Sequence, residues 1–260
     1  MAESESVGGK GVIPHFFYDV ISFIIPGSYL IFGIFLIWFG QEWSEALYGW
    51  TKTGGKEEGS IAATSVLVGI AFIIFLAISS FVGFLLSALS YKVIEIRIWG
   101  GKESYTMLGL ETYMGIKGQG EKLKGNFNSK FELDLEDCKL DQASNLCAYY
   151  IWDHSPLLGT MTGRFDAEKI MSQSSILVSF LLAALDLIHY VYAATESGAA
   201  SLAVFLVSYM CLLLCAIVAS FAFDFHREKR VYGRYQMFLM LVAKEEKRNN
   251  DDATGKVDKT

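Results

Sequence analysis

The chain has 260 residues and a formal charge of −6, without the clustered basic face that marks a nucleic-acid binder. It is 52% hydrophobic and 14% aromatic, and a soluble domain rarely combines that load with apolar runs of membrane-spanning length. Cys138, Cys147, Cys211 and Cys215 are too few and too scattered for a disulfide framework or a zinc site, and they read as small apolar filler.

Residues 1–15 hold one lysine and two glutamates, with neither the basic start nor the cleavage site of a secretory signal. The first apolar run is therefore expected to be a retained helix and 1–15 a cytoplasmic N-terminus. Residues 16–90 follow as a first transmembrane hairpin. Its spans are Phe16–Phe39 and Ile61–Leu89, each long enough for a hydrocarbon core that takes about 20 helical residues. In the first span Asp19, Ser22, Pro26, Tyr29 and Gly33 recur at three- and four-residue steps. Pro26 lacks an N–H and clashes with the carbonyl four residues back, which predicts a kink. Trp38, Trp43 and Trp50 flank the first outer loop as interfacial aromatics do. In the second span Ser79, Gly83 and Ser87 form a small-residue stripe, the surface by which membrane helices approach one another.

Residues 91–173 read as a cytoplasmic insert. Tyr91–Ile98 continues the second span as an amphipathic helix that Gly100-Gly101 should stop. Short β pairs at 104–116 are an open alternative for the stretch that follows. Residues 115–130 are glycine-rich and polar, which predicts a mobile loop. Their GxG lacks the third glycine of a dinucleotide fingerprint. Apolar positions between Phe131 and Trp152 predict a helix against a partner surface, with Phe131, Leu135, Leu140, Tyr149 and Tyr150 as anchors. The insert has ten basic and twelve acidic residues, so residues 100–160 are expected to bind protein rather than nucleic acid.

Residues 174–223 form the second hairpin, with spans Ser174–Ala194 and Ala199–Phe223. Ser175, Ser179, Ala183 and Asp186 lie along one face of the third span, and His189 stands a turn further out. A carboxylate facing lipid would cost about 2.5–3.5 kcal/mol even on translocon scales, so Asp186 should face the bundle. No lysine or arginine lies in any span, leaving a proton, His189, or hydroxyls such as Ser208 or Tyr209 to satisfy it. Asp186, His189 and Asp19 are the intramembrane polar candidates. Residues 224–260 make up a basic juxtamembrane segment and a charged tail. Arg227, Lys229, Arg230 and Arg234 are placed for lipid headgroups, and the tail from about Lys244 reads as disordered.

Lysines and arginines number one before the first span, two in the first link, ten in the insert, none in the second link and nine in the tail. Basic loops remain in the cytoplasm, so both termini and the insert are expected inside a bacterial cell membrane. The fold class expected is an all-α integral membrane protein, its two hairpins packed as a four-helix bundle.

Phe17–Gly27 (FYDVISFIIPG), Gly83–Ser90 (GFLLSALS) and Arg164–Ser174 (RFDAEKIMSQS) resemble a loose family of bacterial four-span inner-membrane proteins with a cytoplasmic insert. Some of these occur beside anti-phage defence genes, and the Kiwa membrane subunits are one candidate branch. The resemblance covers the spans and implies a membrane-embedded sensor or effector, with no catalytic residues. There is no P-loop, HExxH, CxxC or GxSxG, and His15, His154, His189 and His226 lack ligand spacing. The expectation is a non-enzymatic, self-associating component in the lipid bilayer, with no cofactor or metal, that senses or scaffolds through its insert. An ion channel or transporter with Asp186 in the conduit is the alternative.

Overall fold

The computed structural model describes residues 12–53, 61–98, 113, 117–196 and 202–253. No strand occurs among them. The helices are α1 (Val12–Thr53), α2 (Ile61–Ser90), α3 (Gln119–Phe131), α4 (Leu140–His154), α5 (Pro156–Glu196) and α6 (Leu202–Ala253). Tyr91–Ile98 extends α2 as a π-helix, and Leu135–Asp137 is a 3₁₀ turn. Four segments are long and apolar enough to cross a membrane: Val20–Gly40, Val68–Ile94, Pro156–Thr195 and Leu202–Asp251. Each expected span lies within one longer helix, apart from 199–201, which lie outside the described residues, as does the stretch 104–116 except for Tyr113.

Two compact units emerge. One takes in the described parts of Met1–Asp19, Gly101–Lys169 and Asp224–Thr260; the other those of Val20–Gly100 and Ile170–Phe223. The second, here the span unit, has a core drawn from all four long helices. Leu86 of α2 meets Leu177, Val178 and Leu182 of α5, with Tyr29, Leu30 and Ile37 of α1 and Leu212 of α6 against them. A second cluster joins Ile94, Ile176 and Phe223. Large apolar side chains such as Phe32, Phe72, Ile73, Phe81 and Phe221 face outward, a surface that water would penalise and a lipid phase accepts.

The other unit, here the charged unit, packs α3 and α4 against the second half of α6. Leu123 and Phe127 of α3, Ala143, Cys147 and Ile151 of α4, and Val231, Tyr235, Phe238 and Val242 of α6 are fully or almost fully buried together. Burial pushes the Cys147 thiol far above its ordinary value, leaving it neutral and inert as core filler.

Three expectations for this part of the chain are corrected. The stretch expected to be a mobile loop at 115–130 is helical from Gln119, because Leu123 and Phe127, four residues apart, share one buried face that outweighs weak local propensity. The tail expected to be disordered from Lys244 is helical to Ala253; α6 is already nucleated by its packed stretch, and propagation costs little per residue. Most of the apolar anchors assigned to a partner are used within the chain. Leu135 is buried, and Phe131 and Tyr150 pack on the same core, while Tyr149 stays 73% exposed. The turn after α3 is fixed locally. Asn128 Oδ1 accepts the Leu135 N–H at 3.0 Å and Asp134 Oδ1 accepts the Glu136 N–H at 3.1 Å.

Candidate functional site

In the span unit, the small residues of α1 and α2 bring two backbones together. A Cβ on Gly83 would collide with the carbonyl of Phe23, and one on Gly27 with the carbonyl of Ser79. The pairings 23 with 83 and 27 with 79 run in opposite senses, so α1 and α2 cross antiparallel here. Ser79 is fully buried, while Ser87 is half-buried. Gly27 escaped the sequence reading. It follows Pro26, which is buried within α1, and only the geometry shows that the glycine, not the proline, makes the contact.

The small residues of α5 serve several purposes. Ser175 and Ser179 each donate to the carbonyl one turn back, at 2.8 and 2.9 Å. Ser179 also meets the Tyr29 hydroxyl at 3.3 Å. Leu182 abuts Gly33, and Ala183 is buried. One turn below Ser179, Ser174 and Ser90 face each other at 3.4 Å. Hydroxyl bonds to the preceding turn satisfy Ser175 and Ser179 within α5, whereas Ser174 is paired with Ser90 of α2.

Asp186 continues this face and is 8% exposed. Its Oδ2 is buried with no hydrogen-bond partner. None of the donors expected for it, His189, Ser208 or Tyr209, bonds this oxygen; the His189 ring lies against Trp38 with centroids 5.3 Å apart, and the Tyr209 ring packs on Phe205 at 5.5 Å. A buried polar oxygen without a partner costs free energy, and this one lies within an apolar span. The side chain of Asp19 lies outside the described residues. Among the described residues no three His, Cys, Asp or Glu side chains gather into a metal site.

The charged unit holds a second constellation that the sequence showed only in pieces. Asp166 of α5 accepts from Arg230 Nε at 2.8 Å and from Arg234. Both arginines also donate to Asn145 Oδ1 of α4, at 3.1 and 2.7 Å. Arg234 is 4% exposed, and a buried guanidinium needs acceptors such as the Asp166 carboxylate and the Asn145 amide oxygen. Glu168, two residues on, accepts from Arg164 Nε at 2.7 Å and Lys229 Nζ at 2.8 Å, and His226 Nδ1 lies 3.2 Å away without hydrogen-bond geometry. Lys229 also sits over the rings of Phe165 and Phe225. Of the four residues assigned to lipid headgroups, Lys229, Arg230 and Arg234 thus hold carboxylates of the chain itself, and Arg227 is half-buried. Arg164 and Glu168 at i, i+4 were the available signal for this cluster.

No family model matches this chain, and neither does any curated protein or solved structure.

Proposed function

We propose that the chain is a non-enzymatic inner-membrane component with a charged cytoplasmic unit that receives a signal or a protein partner, while its spans enact the response at the membrane. The observation that carries this reading is a coincidence between charge and packing. The segments whose lysines and arginines assign them to the cytoplasm, 1–15, 91–173 and 224–260, are close to those whose described parts gather into one compact unit. The charged unit has its own apolar core, as a receiving module needs, and Tyr149 remains exposed as an aromatic anchor of the kind that interfaces use. Two antiparallel hairpins, a four-helix bundle and self-association complete this reading. The resemblance of Phe17–Gly27, Gly83–Ser90 and Arg164–Ser174 to four-span proteins beside anti-phage genes supports placing the role in phage defence.

The test is phage plating on bacteria that express the chain with its neighbouring genes, the wild type beside Tyr149→Asp. Protection by the wild type and its loss in a normally inserted variant is the expected result. Protection that is absent from the wild type removes the defence role, and protection untouched by Tyr149→Asp removes that surface as the receiving site.

A conduit reading is favoured by one observation, the partnerless Asp186 Oδ2. It predicts cation or proton leak from proteoliposomes that hold the chain alone, abolished by Asp186→Asn. Tight proteoliposomes would dispose of it.

A further inference from the structure

Between residues 76 and 94 the buried positions of α2 and its π extension are Ser79, Gly83, Leu86, Ser90 and Ile94, at steps of four, three, four and four. An α-helix turns by about 100° per residue, so the first three steps hold to one line. The last does not. Two four-residue steps in succession would carry an α-helical Ile94 about 80° round from Leu86. Val93, seven residues on, would come within about 20° of it. The chain does not continue as an α-helix here. From Tyr91 to Ile98 it winds as a π-helix, whose bonds reach one residue further and so fit an extra residue into the turn. Ser90 is held at the start of this run, donating to the Ser87 carbonyl at 2.9 Å and facing Ser174 of α5 at 3.4 Å. The wider turn then seats Ile94, fully buried, in a cluster with Ile176 of α5 and Phe223 of α6, and Val93 lies half-buried against the same cluster.

We propose that Tyr91–Ile98 is a two-register switch: in the π form Ile94 packs with Ile176 and Phe223, and in an α form Val93 takes its place. The two side chains suit one notch, since both are apolar and β-branched and differ by a single methylene. π turns are rare and occur mostly as single-turn bulges, frequently at functional sites, so a run of eight residues depends on the side-chain contacts that hold it. Exchanging Ile94 for its neighbour lets the backbone return to the commoner helix. Packed elements settle into discrete arrangements and do not deform continuously, which makes the exchange a jump between two states. The inference rests on the proposed reading of the chain as relaying a signal between its cytoplasmic unit and its spans. Residues 91–98 are the stretch by which span two leads into the insert, and a change of register there turns the exit of the helix about its axis.

The experiment uses the full chain in lipid nanodiscs with labelled isoleucine methyl groups, as wild type, Val93→Ala and a deletion of Lys92. Register shifts fall in the microsecond-to-millisecond range, which methyl relaxation dispersion reads. The wild type should show dispersion at Ile94 and Ile176, while Ile37, packed on the Leu86 cluster, stays quiet. Val93→Ala removes the alternative side chain and should abolish the dispersion, leaving Ile176 at its π-form shift. Deleting Lys92, exposed between Ser90 and Ile94, brings Ile94 to three residues after Ser90. The α-helix then fits, and the dispersion should vanish with Ile176 at a second shift. A wild-type Ile176 without dispersion overturns the switch, and so does dispersion that survives either variant. Equal dispersion at Ile37 would belong to the whole bundle and overturns it too. Should one variant fail to fold, the other decides by the same criterion. Phage plating of the wild type judges the proposed function separately. A protective chain with a silent Ile176 lacks only the switch, and an unprotective chain with a dispersing Ile176 lacks only the defence role.

Discussion

A methyl group added at Gly83 would be driven into the carbonyl of Phe23, a backbone atom that no side-chain rotation can move aside. Gly83→Ala should therefore lower stability in detergent by roughly 1–3 kcal/mol, the range for an overpacked site. Gly69→Ala on the same helix, where a Cβ meets nothing, should be silent. A thermal melt that leaves Gly83→Ala unchanged would mean that α1 and α2 do not touch there. Asp186 poses the opposite case, since its Oδ2 has nothing to lose. Asp186→Leu should raise stability by about 1–3 kcal/mol, the penalty of an unsatisfied buried polar group, and Asp186→Asn should leave it nearly unchanged. Natural chains keep such costs mainly where function needs them. A gain in stability combined with a loss of biological response would mark Asp186 as functional. A loss of stability in Asp186→Leu would mean that the carboxylate has a structural partner after all.

At the scale of elements, α6 is the helix on which the charged unit is built. Beyond its buried stretch it carries Glu245, whose Oε2 accepts Lys130 Nζ at 2.9 Å and the Tyr150 hydroxyl at 2.7 Å. Glu245 so ties α3 and α4 to a part of the chain that composition alone marks as disordered. Truncation before Lys244 should cost about 0.5–1.5 kcal/mol, since the ion pair is partly solvated, and should quicken amide exchange in α3. Unchanged exchange there would show that α3 holds without the tail. The spans were readable because their signal is local: some twenty apolar residues announce a crossing by themselves. The helices α3 and terminal α6 were not, because what stabilises them lies far away in the chain. Leu123 and Phe127 share a core with Tyr235 and Phe238, and Glu245 is paired with Lys130. The same holds for Asp166, whose arginine partners lie 64 and 68 positions further on. A string displays the charges of Arg230 and Arg234, but not which anion they face.

For the molecule as a whole, the decisive measurement is topology. Reporter fusions at Gly54 and Gly198 should behave as periplasmic, and fusions at Gly118 and the C-terminus as cytoplasmic, on the strength of the basic residues around them. A periplasmic Gly118 would place the charged unit outside the cell and would undo the proposed function along with the orientation.

The contact between α1 and α2 also bears on how this chain can drift in evolution. A Cβ on Gly27 would meet the carbonyl of Ser79 and the backbone nitrogen of Gly83, and one on Gly83 the backbone of Phe23; these are main-chain atoms that every residue carries, so enlarging either glycine cannot be balanced by shrinking a side chain opposite. In a set of diverged relatives the two positions should therefore stay glycine independently, with no covariation between them. Outward-facing neighbours such as Phe81 and Phe84 should meanwhile exchange freely among apolar residues. Two invariant glycines 56 positions apart, set in otherwise fluid apolar sequence, would be the fingerprint by which distant kin are found.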